Sequence, residues 1–146
     1  VSQDWSDAGN WSNGAPVVGA GVGNAIINPG GAFGDPIVST PGNDTGAGVG
    51  VYISYTGPTL TITSTGELTT DTVQHGCWGD SGALTVEGTL TIVGWLSLGA
   101  GGAAPMYVTG GTVTAAHLWM DPSKGGHLEA VPNTLLTADE TPEHSV

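Results

Sequence analysis

Val86-Glu87-Gly88-Thr89-Leu90-Thr91 and Val108-Thr109-Gly110-Gly111-Thr112-Val113-Thr114 have one shape. In each, a short extended stretch ends, a glycine corner follows, and a second stretch begins. Ile62-Thr63-Ser64-Thr65-Gly66-Glu67-Leu68-Thr69 repeats it upstream. The offset is 24 residues from Ile62 to Val86 and 22 from Val86 to Val108. Leu96-Ser97-Leu98 matches Leu118-Trp119-Met120, again 22 residues apart. Leu128 to Leu135 reads as a final, degenerate copy. Short strands joined by glycine corners at this period suit stacked coils. One coil cannot enclose its inward side chains. Stacked coils place Leu over Val over Ile, and each backbone hydrogen-bonds to the next as parallel strands do.

The texture around these copies agrees. Thr59-Leu60-Thr61-Ile62-Thr63 and Thr89-Leu90-Thr91-Ile92 alternate polar and apolar residues, which puts one set inside and the other in solvent. Gly numbers 26 and Pro 9, and they interrupt nearly every candidate helical window. The expectation is an all-β chain, a parallel β-helix with coils of about 22 residues, forming a single domain over 1–146. Residues 1–20 read as a Trp-rich N-terminal cap or docking segment, and 136–146 as a polar C-terminal tail. The alternative is an antiparallel β-sandwich. Hairpins favour Asn-Gly or Asp-Gly turns, and Asn13-Gly14 is the sole such dipeptide.

Thirteen acidic residues face one basic residue, Lys124, for a net charge of −12. That balance excludes nucleic-acid binding, which relies on Lys and Arg to neutralise phosphates. Anionic membranes would repel the chain as well. No apolar run approaches the roughly 18 to 20 residues of a membrane span. The chain starts at Val1 with no charged-then-apolar leader. A processed, secreted protein is expected, extracellular or at the cell surface. Cys77 is alone, so no internal disulfide can form. It is an intermolecular thiol candidate or a small buried hydrophobe.

The opening Asp4-Trp5-Ser6-Asp7-Ala8-Gly9-Asn10-Trp11-Ser12-Asn13-Gly14-Ala15-Pro16 resembles that of secreted bacterial β-solenoid proteins with autotransporter-associated β-strand repeats. Many of those carry a PEP-CTERM-type sorting tail, which is not seen here. Leu84-Thr85-Val86, Gly88-Thr89-Leu90 and Val108 to Val113 are similar to the repeat of that group. The resemblance covers the opening and roughly residues 59 to 120. It implies a secreted, right-handed β-helix and no particular reaction.

Catalytic residues do not stand out. Glycoside hydrolysis needs two carboxylates flanking one bond; Asp71 with Asp80, or Asp121 with Glu129, fall in no recognisable motif. His75 and Cys77, with Asp80, form a loop-like cluster with too few ligands for a closed transition-metal site. Calcium suits Asp and Asn oxygens in Gly-rich loops better, with Asp4, Asp7 and Asp44 as weak candidates. No cofactor is otherwise implied.

The tryptophans say more. If Leu96, Leu98, Leu118 and Met120 point inward, Trp95, Ser97, His117 and Trp119 point outward. A 22-residue coil then sets Trp95 beside His117 and Ser97 beside Trp119. Trp95, His117 and Trp119, together with Trp5 and Trp11 of the opening, are the candidate interface or glycan contacts. Solenoid ends present unpaired strand edges, and no capping helix is visible. The expected function is therefore a non-enzymatic structural subunit of an extracellular filament, sheath or matrix. Its first partner would be itself, as a homopolymer. The alternative is an adhesin-like carbohydrate-binding module whose partner is an extracellular polysaccharide.

Overall fold

The computed structural model describes residues 3–11, 14–16, 23–27, 35–54, 57–131 and 135–140, and in them the chain is a parallel β-solenoid. The strands are β1 (Ala25–Ile27), β2 (Ile37–Val38), β3 (Asn43–Asp44), β4 (Gly50–Ile53), β5 (Leu60–Ile62), β6 (Glu67–Thr70) and β7 (Thr72–His75). Then follow β8 (Leu84–Val86), β9 (Thr89–Leu98), β10 (Ala104–Val108), β11 (Thr112–Met120), β12 (Gly126–Ala130) and β13 (Leu135–Glu140). One five-stranded sheet runs β12-β10-β8-β5-β2. The other, eight-stranded, runs β1-β4-β7-β9-β11-β13, with β3 and β6 alongside. Every strand pairing is parallel, so the sandwich alternative fails: no hairpin ladder occurs among the described residues.

The register follows the sequence repeat. Ile62 pairs with Val86 and Val86 with Val108; Leu96 pairs with Leu118. Each coil visits the first sheet, turns a corner, and crosses the second. Inward side chains then line up in columns. Leu60, Leu84, Met106 and Leu128 form one; Ile62, Val86, Val108 and Ala130 form another. Facing them on the second sheet are Leu68, Leu90 and Val113, and beyond these Val51, Val73, Leu96 and Leu118. All of these except Leu128 and Ala130 are buried. This shared core is what no single coil could enclose.

The corners need glycine for a steric reason. Gly66, Gly88 and Gly111 stack over one another, each just before a strand of the second sheet. A Cβ on Gly88 would overlap the carbonyl oxygen of Gly66, and one on Gly111 that of Gly88. Those carbonyls accept from the coil above: Thr89 N–H reaches Gly66 O at 3.0 Å and Thr112 N–H reaches Gly88 O at 2.8 Å.

At the N-terminal end, Gln3 to Trp5 add a level to the first sheet. Trp5 N–H donates to Ile37 O at 2.9 Å and Ile37 N–H to Gln3 O at 2.7 Å. Trp5 is fully buried in the core. A single 3₁₀ turn, Ala8–Asn10, capped by Asp7, brings Trp11 edge-on to Trp5 at 4.9 Å. Trp11 Nε1 donates to Trp5 O at 2.8 Å. This part of the opening therefore covers its own end. Residues 1–2, 12–13 and 17–20 of the expected cap lie outside the described residues.

At the other end the expected tail boundary was too early. Residues 136–140 belong to β13, where Val113 pairs with Leu136 and Thr114 with Thr137. The ladder continues because backbone pairing on β11 outweighs the polar composition of Ala138-Asp139-Glu140. Residues 141–146 lie outside the described residues. Among the described residues no helix is long and apolar enough to cross a membrane.

Candidate functional site

The outer face of the second sheet carries a group of aromatic residues. Alternation in β9 sends Leu96 and Leu98 inward, both fully buried, and leaves Trp95 40% exposed. In β11, Leu118 and Met120 are buried while His117 and Trp119 are half-buried on the outer side. The register pairs Trp95 with His117 and Ser97 with Trp119. Trp95 and His117 lie with ring centroids 4.6 Å apart and 32° between planes. The expected juxtaposition of Trp95, His117 and Trp119 on one face is thus the observed one. The β9–β11 register shifts between Ala115 and His117, and Val93 projects there, 63% exposed.

Two residues that the sequence reading missed extend this face. Tyr52 on β4 sits in the same outward column as Gln74, Ser97 and Trp119. Trp78, from the loop after β7, stacks on it at 5.9 Å and 11°, and is 53% exposed. Alternation in Val51-Tyr52-Ile53 contained the signal for Tyr52. Nothing in the loop sequence pointed Trp78 toward it.

The remaining candidates disperse. Trp5 is a core side chain and Trp11 packs on it, so neither joins the aromatic face. His75, expected in a loop with Cys77 and Asp80, is the last residue of β7 and points into the core between Ile53 and Leu98. Its Nε2 lies 2.9 Å from Pro105 O. A carbonyl only accepts, so Nε2 carries the proton and the buried Nδ1 is left without a partner. Burial holds its pKa down, at about 4. Burial pushes the Cys77 thiol up and makes it a poor nucleophile. Its side chain is half-buried, with Sγ 3.8 Å from Ile53 O.

The carboxylates serve turns. Asp4 Oδ1 accepts from Ser6 N–H and Oγ–H, and its Oδ2 from Ser39 Oγ at 3.0 Å. The Ser6 bonds hold the Asp4 carboxyl below its ordinary range. Asp7 caps Gly9, Asp44 caps Gly46, Asp121 caps Ser123, and Asp80 accepts from Ala103 N–H at 2.8 Å. Glu129 lies 3.6 Å from His127. Among the described residues no three His, Cys, Asp or Glu side chains gather to hold a metal ion.

Neither a family model, nor a curated protein, nor a solved structure matches this chain.

Proposed function

We propose that the protein is a carbohydrate-binding module of the cell exterior, gripping uncharged polysaccharide on the outer face of its second sheet. The observation that carries this reading is the pairing of Trp95 with His117 on the same sheet face as the Trp78–Tyr52 stack, with Gln74 and Ser97 between Tyr52 and Trp119. Pyranose rings present apolar C–H faces, and an aromatic platform desolvates them at little entropic cost because it is already fixed on a sheet. A net charge of −12 selects neutral chains over uronates or sulfated sugars. The resemblance of the opening and of the Leu84 to Val113 copies to secreted bacterial repeat proteins supports the same location. The test is affinity electrophoresis in gels containing neutral polysaccharides. The protein should be retarded, and Trp95→Ala and Trp119→Ala should restore free mobility. Retardation unaffected by both substitutions would place binding elsewhere; no retardation in any neutral glycan would end the reading.

A second reading, a subunit of an extracellular filament or matrix, has one observation in its favour. Leu128 is half-buried and Ala130 exposed, and among the described residues no strand pairs with the outer side of β12. Stacking on another copy would cover it. Because Trp5 and Trp11 cover the opposite end, unlimited growth would require that segment to move aside. Sedimentation at high protein concentration, with and without calcium, tests it: a strictly monomeric protein rules the reading out.

A further inference from the structure

The second sheet has another surface, in the strand segments before the aromatic residues. Thr69, Thr91, Thr114 and Thr137 occupy one outward register position on β6, β9, β11 and β13. Two residues earlier, Thr89 and Thr112 pair in a second column, below which stands Glu67. Parallel strands set such side chains about 4.8 Å apart across the sheet and about 6.6 Å apart along a strand. The result is a two-dimensional grid of hydroxyl and methyl groups.

Three properties suit the grid to a periodic occupant. First, its longer column is continuous over four strands, while the shorter one, Thr89 and Thr112, ends at Glu67 on one side and Leu135 on the other. The comparable outward column of the first sheet runs Thr61, Thr85, Tyr107, Glu129 and is broken by a ring and a carboxylate. Second, its hydroxyls are unspent. The loop residues Thr45, Thr63 and Thr65, and Thr70 at the end of β6, each donate to a backbone oxygen, whereas among the described residues no protein group takes the hydroxyls of Thr69, Thr89, Thr91, Thr112 and Thr114, as none takes those of Thr61 and Thr85 on the first sheet. Third, β-branching restricts χ1, so the grid is preorganised. Its carboxylates, Asp44 and Glu67, stand only on the side facing the N-terminal end.

We propose that this grid binds ice. A sugar ring would favour an aromatic platform, and an ion would need clustered charge; the threonine positions supply neither, and Asp44 and Glu67 stand only at one margin. It supplies regularly spaced methyls that order water and hydroxyls that anchor it. The spacing across the strands lies close to the shorter oxygen repeat on a prism face of hexagonal ice, and the spacing along a strand falls somewhat below the longer one. The occupant is a water lattice, which needs no recognition element beyond periodicity and rigidity. The grid shares no residue with the proposed glycan face.

Ice-affinity partitioning and thermal hysteresis of the full chain test the proposal. The protein should concentrate in the ice fraction and facet growing crystals. Thr91→Lys with Thr114→Lys should abolish both effects, because two long cations interrupt the lattice match. Trp95→Ala should leave both unchanged, whether or not glycan binding is real. If circular dichroism shows the lysine variant misfolded, Thr91→Ser with Thr114→Ser replaces it, and removal of the two methyls should weaken faceting. Exclusion of the native protein from ice overturns the proposal. So does full activity in a folded variant, or a lysine variant whose main effect is to dissociate an oligomer.

Discussion

The two ends of the solenoid are finished differently. At the N-terminal end a full-sized indole, Trp5, fills the inward space next to Val38's level and is completely buried, with Trp11 laid against it. At the C-terminal end the column Leu60, Leu84, Met106, Leu128 runs from three fully buried side chains to one half-covered, and Ala130, paired with Val108, is exposed. Both ends face the same problem, since a coil's inner surface is complete only when something lies on it. One end solves it within the chain through a single large residue. Among the described residues the other end carries no comparable cover. The middle differs from both, because there every inward group is sealed from above and below.

The largest expected effect comes from removing the plug. Trp5→Ala should cost about 3–5 kcal/mol in urea unfolding, the range for deleting a buried aromatic. It would also make the N-terminal end resemble the other. A cost near 1 kcal/mol or less would mean that the opening merely rests on the solenoid.

The sealed middle should reveal itself through pH. His75 sits neutral in the core with its pKa lowered from 6.5 to about 4. The unfolded chain takes up this proton first as pH falls. Stability from this residue is therefore complete above about pH 6.5, declines between 6.5 and 4, and is lost by about pH 4, a total of about 3 kcal/mol. His75→Gln should flatten that slope in unfolding curves taken at several pH values. Asp4, near the plug, also loses its contribution as pH falls, but in the carboxylate range. Its carboxylate is favoured in the fold, so its contribution is present above the unfolded carboxylate value and disappears only at more acid pH.

The sequence disclosed the repeated part of the molecule well. Val86 over Ile62 and under Val108, the inward Leu96 and Leu118, and Trp95 beside His117 all follow from period-two alternation and a 22-residue step. Both cues are local. Where the chain leaves the repeat, they fall silent. Trp5 reaches the core by pairing beside Ile37, a contact across more than thirty intervening residues with no copy to align it. His75 read as loop because it precedes Gly76-Cys77, although Ile53 and Leu98 flank it in register. The strand at 136–140 was hidden by Asp139 and Glu140. A parallel edge strand is held by its backbone, and polar side chains on it conceal the pairing. Trp78 stacks on Tyr52 from a loop, where no periodicity applies.

The finest test of the unequal ends uses one substitution at two levels of one column. Leu84→Ala removes a fully buried side chain with Leu60 on one side and Met106 on the other. It should cost about 3 kcal/mol, the transfer term plus a cavity that sealed neighbours cannot collapse into. Leu128→Ala removes the same atoms where solvent already reaches them and should cost only about 1 kcal/mol. Under the second reading, that gap is not a fixed property of the chain. If another copy covers the last coil, Leu128 becomes a middle residue, and its alanine variant should cost more as protein concentration rises. The Leu84 cost should stay constant throughout. A Leu128 cost independent of concentration up to the solubility limit would mean that the end stays open, and the filament would lose the observation that favours it.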